Sequence, residues 1–180
     1  MDFLQSFDRA VALFFGGIDC GPIDFLMVFF STVAELGAVY IIIAAYLFFF
    51  RKDRNQAIAV LVSLLFSVVL CHILKDIFDR TRPYIELGIE ILVSPPLGSS
   101  FPSAHSSTAF SFATVMFLFY RKSAPWFAVC SVLLASAVAF SRIWLCVHYL
   151  SDVVVGAMFG VAVGITIFLI FQTVKKIRSK

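Results

Sequence analysis

The stretch SRIWLCVHYLSD, residues 141–152, lies where one long apolar run (124–147) gives way to another (152–174). At about 1.5 Å per residue, a helix formed by either run can cross the hydrocarbon core of a bilayer, which is about 30 Å thick. Charged groups are costly in hydrocarbon and usually mark function there, so Arg142, His148 and Asp152 are expected at helix ends. The stretch therefore predicts two membrane helices with a polar cluster where they meet.

The composition of the whole chain agrees with a membrane protein. Its 180 residues are 61% hydrophobic and 14% charged, with a mean hydropathy of +0.99, which excludes an ordinary soluble domain. We expect a single membrane-embedded domain over residues 1–180, because this length leaves no room for a second core. The net charge of +3 is too small to indicate nucleic-acid binding.

The four cysteines are scattered, at Cys20, Cys71, Cys130 and Cys146. Their positions contain neither a CxxC pair nor the spacing of a zinc site, so we expect them to be structural thiols rather than a disulfide framework. The N-terminus lacks a basic first region, and acidic residues interrupt it, so it is not expected to be a cleavable signal.

Five apolar stretches are long enough to span a membrane, at 23–50, 56–78, 103–120, 124–147 and 152–174. The first is long enough to tilt. Before them, Phe3, Phe7, Val11 and Phe14 recur at helical spacing, which predicts an amphipathic helix over 3–15 at the membrane surface. We predict an all-α integral membrane protein, a helical bundle of about five transmembrane helices plus an N-terminal interfacial amphipathic helix.

The basic residues concentrate on one side of this topology. The turns at 51–54 and 121–122 and the C-terminal tail carry most of the cations and one acid, Asp53. By the positive-inside rule this side is cytoplasmic in a multi-pass protein of the plasma or inner membrane, with a cytoplasmic C-terminus. The polar clusters then face the periplasm or exterior, together with the loop at 83–102, whose length of about twenty residues is typical of a functional segment.

The first polar cluster contains Lys75 and Arg82, seven residues apart. On a continuing helix they would project from the same side, and Pro83 should stop the helix and present Arg82 at its end. Two cations on one face suit an anion with several oxygens. The same spacing also fits two cations that snorkel to lipid headgroups.

The second cluster, Pro102-Ser103-Ala104-His105, opens the third apolar stretch. Ser103 at the N-cap, with the free amides of the first turn, would hold a phosphate, and His105 would lie one turn in. A plain helix cap with an incidental histidine gives the same pattern.

In the third cluster His148 and Asp152 are four residues apart. On one helical turn the carboxylate can accept the Nδ1–H of the imidazole, which leaves the other nitrogen free as a nucleophile or base. Arg142 can reach the same anion. A simple interfacial His–Asp pair remains an alternative, although it does not explain the cations on the same membrane face.

Together, the strings K-x6-R-P, P-S-x-H and S-R-x5-H-x3-D resemble the phosphatidic acid phosphatase type 2 superfamily, which consists of integral-membrane lipid phosphatases. They cover residues 75–152, and the joint match is specific although each string alone is weak. Ala104 stands where many relatives have glycine, so the backbone there should need no positive φ. The chain is similar to a short five-span form of the family.

The resemblance implies a role for each motif residue. His148 would attack phosphorus to form a phosphohistidine, Asp152 would orient it, and His105 would protonate the leaving oxygen. Lys75, Arg82, Ser103, Ala104 and Arg142 would hold the phosphoryl oxygens. No metal and no cofactor is implied.

Other features concern residues outside these motifs. Glu35 lies within the first apolar stretch and should have an internal partner or line the site. His72 lies three residues before Lys75 and could line the site, but we favour burial as a neutral, hydrogen-bonded imidazole. Gly156, Gly160 and Gly164 form a flat strip for close helix packing, for which we favour a partner within the monomer.

The resulting hypothesis is a phosphatase of lipid phosphates or diphosphates at the outer leaflet. Short members of the family resemble bacterial undecaprenyl-diphosphate phosphatases, whereas phosphatidylglycerophosphate, phosphatidic acid and lipid A phosphatases are close alternatives. The partners are then the lipid substrate and membrane lipids; the sequence does not indicate an oligomeric state. A haem protein with His72, His105 and His148 as ligands, or a transporter, fits poorly because either leaves the cations unexplained.

Overall fold

The computed structural model describes residues 3–178, apart from the side chain of Leu36. Its helices are α1 (Phe3–Gly16), α2 (Gly21–Val33), a 3₁₀ turn (Glu35–Gly37), α3 (Ala38–Phe49), α4 (Arg54–Phe78), α5 (Pro83–Leu87), α6 (Ala104–Tyr120), α7 (Pro125–Trp144) and α8 (Leu150–Arg178). No strand occurs within residues 3–178. The all-helical prediction is therefore confirmed.

Three helical segments of the described chain are long and apolar enough to cross a membrane. They are Arg54–Leu87, which comprises α4 and α5, Pro125–Trp144, which is α7, and Leu150–Arg178, which is α8. A fourth is possible if α1 and α2 together form one broken span, although they meet at an angle of 119°. The predicted third span corresponds to α6, which has 17 residues and a largely buried surface.

The first predicted span, 23–50, is not one continuous helix, and its prediction as a single tilted span was wrong. The helix α2 ends at Val33, a 3₁₀ turn covers Glu35–Gly37, and α3 begins at Ala38. Gly37 has a left-handed backbone, with φ 70°, which glycine adopts without steric cost. The break also places the Glu35 side chain at an exposed turn rather than inside a continuous helix.

At the centre of the bundle lies α6, which packs against α4, α7 and α8. Its closest neighbour is the glycine strip of α8. A methyl group added at Gly156 would lie 2.5 Å from the carbonyl oxygen of Ser103, and one at Gly164 would lie 2.6 Å from Cβ of Thr114. The strip therefore packs within the monomer, as predicted, and the absence of side chains there allows the two backbones to touch.

The basic turns and the C-terminus share one end of the bundle. The hydroxyl of Tyr120 donates to Asp53 Oδ2 at 2.6 Å and joins the end of α6 to the turn before α4. Asn55 at the start of α4 and Lys175 near the end of α8 line one cavity. This grouping agrees with the predicted topology and leaves the polar clusters at the opposite end.

The predicted N-terminal helix is present as α1. Phe3, Phe7 and Phe14 are 84%, 48% and 65% exposed, whereas Asp8 is 1% exposed and faces the bundle. The apolar side of α1 therefore points away from the protein, as expected for a helix at a membrane surface. Asp2 lies outside the described residues.

Candidate active site

The three polar clusters converge at one end of the bundle. Arg82 Nη1 donates to the carbonyl oxygen of Val147 at 2.9 Å and lies 3.3 Å from His148 Nε2. The groups that act electrostatically on His105 are Arg142, His148, Arg82 and Lys75. Residues separated by up to 73 positions in sequence thus lie close together in one candidate site.

His148 lies in the turn between α7 and α8. The turn depends on Cys146, whose φ is 52°, and on the His148 N–H, which donates to the carbonyl oxygen of Arg142 at 3.2 Å. The prediction that His148 and Asp152 share a helical turn was wrong in detail, because α8 begins only at Leu150. The turn nevertheless brings His148 Nδ1 to 3.6 Å from Asp152 Oδ2.

The contacts of His148 indicate which ring nitrogen carries the lone pair. Since a guanidinium only donates, the nearby Arg82 favours an unprotonated Nε2, and the proton then lies on Nδ1, towards Asp152. Burial lowers the pKa of His148 well below its usual value, and the carboxylate of Asp152 opposes this shift. At neutral pH the imidazole is therefore uncharged and has a nucleophilic nitrogen.

Asp152 is fully buried and accepts several hydrogen bonds. Ser100 Oγ donates to Oδ2 at 2.5 Å, and the N–H of Tyr149 donates to the same oxygen at 2.9 Å. Arg80 Nη1 donates to Oδ1 at 2.6 Å. These donors fix the orientation of the carboxylate beside His148.

Arg82 and Lys75 hold the loop that precedes α6. Arg82 donates to the carbonyl oxygens of Gly98, Leu97 and Ser99 at 2.9, 3.1 and 3.3 Å. Lys75 Nζ donates to the same Ser99 carbonyl. Both cations therefore point at oxygen acceptors from one side of the pocket, and a bound oxyanion would compete with these carbonyls.

The helix that carries Lys75 does not continue to Arg82, contrary to the prediction. It ends at Phe78, where Asp79 adopts a left-handed backbone with φ 37°. Arg82 is extended, with φ −78° and ψ 150°, and Pro83 opens α5. The extended backbone is the one that a residue before proline prefers, so the proline effect was correct although the helix end lies earlier.

Ser103 is the N-cap of α6, as predicted. Its Oγ accepts from the backbone N–H of Ser106 at 3.4 Å and from the Ser106 hydroxyl at 3.0 Å. Ala104 and His105 form the first turn, and Ala104 is helical without a positive φ, as expected. The start of α6, with its positive dipole end, therefore lies at the same end of the bundle as the other motif residues.

Arg142 is 3% exposed. Its Nη1 donates to Ser31 Oγ of α2, and its Nε has no hydrogen-bond partner among the described residues. Glu35, at the break between α2 and α3, acts electrostatically on Arg142. Because Glu35 is exposed and makes no direct ion pair with Arg142 among the described residues, the expected internal partner of Glu35 is not observed.

His72 does not belong to the site. Its side chain is exposed, and Nδ1 donates to the Val68 carbonyl oxygen at 2.9 Å. The predicted hydrogen bond is present, but the predicted burial is wrong because this face of α4 points away from the bundle.

Three residues that hold Asp152 directly or through a neighbour were not predicted from the sequence. Arg80 and Ser100 donate to Asp152, and Asp8 accepts from Arg80. Arg80 stands two positions before Arg82, so its charge was a visible signal. Ser100 is one of several serines in the 83–102 loop, and Asp8 is one of several polar residues on α1. Nothing in their spacing distinguishes these two from their neighbours.

Comparison with known proteins identifies the family. The sequence profile of the PAP2 superfamily matches residues 56–176, so the chain belongs to that superfamily. Two solved structures share the whole fold. A PAP2-type phosphatidylglycerolphosphate phosphatase from Bacillus subtilis has a TM-score of 0.78 at 25% identity, over 98% of this chain and 88% of the other. Aquifex aeolicus LpxE has a TM-score of 0.76 at 26% identity, over 93% and 95%.

Relatives by sequence include a protein named as a transport permease and several named as phosphatases. The bacitracin transport permease protein BcrC of Bacillus licheniformis is 32% identical over 65% of this chain and 56% of its own length. An undecaprenyl-diphosphatase of Sulfolobus acidocaldarius is 29% identical over 75% and 64%. A lipid A 4′-phosphatase of Bacteroides thetaiotaomicron is 26% identical over 89% and 75%. The chain thus spans less than two thirds of the length of the first two relatives.

Proposed function

We propose that this protein is a metal-independent phosphatase that hydrolyses a phosphate or diphosphate lipid through a phosphohistidine intermediate. The observation that carries the proposal is the environment of His148. Its Nε2 lies 3.3 Å from Arg82, and Asp152 lies on the Nδ1 side at 3.6 Å. An activated histidine nucleophile needs this arrangement. Its Nε2 faces the cations that would bind phosphate, and its Nδ1 faces a carboxylate.

In the first chemical step His148 Nε2 attacks phosphorus while the bond to the leaving oxygen breaks. His105, in the first turn of α6, donates a proton to that oxygen. Asp152 stabilises the positive charge that develops on the imidazole.

The phosphoryl oxygens are held by the cations and by the start of α6. Lys75, Arg82 and Arg142 supply charge, and Ser103 with the backbone amide of Ala104 supplies neutral donors. Since charge on the phosphoryl group shifts in the transition state, these fixed donors stabilise it without reorganisation. Lys75 and Arg82 exchange loop carbonyls for phosphate oxygens when the substrate binds.

In the second step water attacks the phosphohistidine. His105, now without its proton, accepts a proton from that water, the P–N bond breaks, and inorganic phosphate leaves. The enzyme returns to its starting protonation state. The three cations carry out the charge stabilisation that a metal performs in other phosphatases, which supports metal independence.

We assign the substrate as undecaprenyl diphosphate, converted to undecaprenyl phosphate at the outer leaflet. Two kinds of observation support this choice: undecaprenyl-diphosphatases occur among the relatives, and the site lies at the end of the bundle opposite the basic turns and the basic C-terminus. Phosphatidylglycerophosphate, phosphatidic acid and lipid A are the alternatives.

The decisive experiment compares these four lipids side by side with the purified protein in detergent, with His148→Ala as the background. We expect phosphate release above background, with the highest kcat/KM for undecaprenyl diphosphate. A higher kcat/KM for another lipid of the panel would reassign the substrate within the same chemistry. Release no greater than that of His148→Ala for all four lipids would reject the proposed function.

A further inference from the structure

Arg80 bridges two buried carboxylates that belong to distant parts of the chain. Its Nη1 donates to Asp152 Oδ1 at 2.6 Å, and its Nη2 donates to Asp8 Oδ2 at 2.8 Å. The two acids are 0% and 1% exposed, and the Arg80 side chain is 26% exposed. Two buried carboxylates that contact one guanidinium share its positive charge, which offsets the repulsion between them.

The two carboxylate oxygens of Asp152 have different hydrogen-bond partners. Oδ1 accepts from Arg80, whereas Oδ2 accepts from Ser100 and from the N–H of Tyr149 and faces His148. A carboxylate held from both sides cannot rotate, and a fixed carboxylate holds the imidazole in one tautomer and one orientation.

Asp8 reaches the same assembly from the N-terminal helix. Its Oδ1 accepts from the backbone N–H of Ser151 at 3.0 Å, and its Oδ2 accepts from the Ser151 hydroxyl as well as from Arg80. Ser151 lies in the first turn of α8, directly before Asp152. The Asp8 side chain thus joins α1 to the turn that carries the orienting carboxylate.

A second set of contacts holds Arg80 from its other side. The guanidinium lies 4.1 Å from the centre of the Tyr149 ring. The Tyr149 hydroxyl donates to Glu86 Oε2 at 2.5 Å, and Glu86 Oε1 pairs with Arg9 of α1 at 3.3 Å. Two neighbouring residues of α1 therefore hold Arg80 in place: Asp8 contacts it directly, and Arg9 contacts it through Glu86 and Tyr149.

We propose that Arg80 and Asp8 are positioning residues of the active site: Asp8 fixes Arg80, Arg80 fixes Asp152, and Asp152 orients His148. The inference rests on the proposed function and extends it, because it makes the docking of α1 a condition for catalysis. Phe3, Phe7 and Phe14 on the outer side of the same helix are exposed, so a helix at the membrane surface becomes part of the catalytic framework.

The test uses the variants Asp8→Asn and Arg80→Gln in the full-length protein, assayed on the most active lipid of the panel. The controls Asp19→Asn and Arg121→Gln make the same chemical changes at exposed positions. We expect both test variants to lower kcat by about 10- to 100-fold with KM within about twofold, because the loss is one of nucleophile orientation. Both controls should keep wild-type kcat, and intrinsic tryptophan fluorescence on heating checks that each variant is folded.

A double-mutant cycle separates positioning from a general structural role. If Arg80 acts through Asp152, then adding Arg80→Gln to Asp152→Asn should cost less than about threefold in kcat, although each single change is severe. If Arg80→Gln does not give folded protein, the cycle is made with Asp8→Asn in its place. This variant should fold, because the asparagine oxygen still accepts the Ser151 N–H.

Three results would overturn the inference. The first is that folded Asp8→Asn and Arg80→Gln both keep the wild-type kcat. The second is that the two substitutions change KM alone. The third is that the kcat loss of Arg80→Gln is fully additive with that of Asp152→Asn. These outcomes leave the proposed function standing, because the wild-type protein is still active. A wild-type protein that is inactive on every lipid rejects the proposed function and this inference together.

Discussion

The substitution Gly156→Ala probes how closely helix packing controls the site. Gly156 faces Ser103, the N-cap of α6, and an added methyl would lie 2.5 Å from the Ser103 carbonyl oxygen and 3.3 Å from its carbon and nitrogen. All three atoms belong to the backbone, so no side chain can move aside. The helices α6 and α8 must separate by about 0.9 Å to restore an ordinary contact of 3.4 Å.

Two effects of opposite sign determine the stability of this variant. Overpacking costs about 1–3 kcal/mol, and the higher helix propensity of alanine returns about 1 kcal/mol. The net loss should be about 0–2 kcal/mol. The activity should fall further, because the separation moves Ser103 and His105 on α6 relative to Asp152 on α8, and a misplacement of about 1 Å costs up to about 100-fold.

The assay compares Gly156→Ala with two matched glycine variants in phosphate release and in thermal unfolding followed by tryptophan fluorescence. Gly164→Ala lies two turns from the site, and its methyl meets the Thr114 side chain at 2.6 Å, so it should lower stability with little loss of kcat. Gly21→Ala has no atom within 4 Å and should change neither quantity. Wild-type kcat for Gly156→Ala, or an equal kcat loss for Gly164→Ala, would show that the contact between Gly156 and Ser103 does not control the geometry of the site.

Four further predictions concern the chemistry. His148→Ala should lower kcat by at least about 1,000-fold while the protein stays folded; retained turnover would exclude His148 as the nucleophile. His105→Ala should impair release from an alkyl phosphate lipid more than from p-nitrophenyl phosphate, whose leaving group needs no proton, and equal losses would argue against a leaving-group acid. Phosphate release should persist in EDTA, since protein cations stabilise the charge; strict metal dependence would contradict this. Because burial lowers the pKa of His148 below 6.5, its neutral form persists as the pH falls, and single-turnover formation of the phosphohistidine should not slow down between pH 7 and about pH 5.5. An acid limb with its midpoint at or above pH 6.5 would disagree with the burial of His148.

Much of the local structure could be predicted because its causes are local. Ser103 begins α6 because its hydroxyl accepts from the first turn, and Arg82 is extended because proline follows it. Apolar length determined the helices, and the distribution of lysine and arginine placed the basic turns at one end of the bundle. The motifs also contained every residue to which we assign a direct contact with phosphate.

Other features depend on contacts that are remote in sequence. A run of apolar residues over 23–50 is compatible with one tilted helix or with two short ones. The chain breaks at Glu35, whose charge acts on Arg142 of another helix. Near the end of α4 at Phe78, Lys75 and Arg82 donate to carbonyl oxygens of the 97–99 loop, which is remote from them in sequence. Helical spacing alone cannot contain this information.

The kind of protein and the residues of its site could be recognised from the sequence: apolar helices, with three cations, two histidines and a carboxylate at their ends. The packing of the helices was needed to see that Arg80, paired with Asp8, holds that carboxylate, and that His148 lies in a turn before α8 rather than within it. The physical reason is that hydrophobicity and capping act over a few neighbouring residues. A buried charge, in contrast, takes whatever partner the packed helices bring to it, across 72 positions in the case of Arg80 with Asp8 or with Asp152.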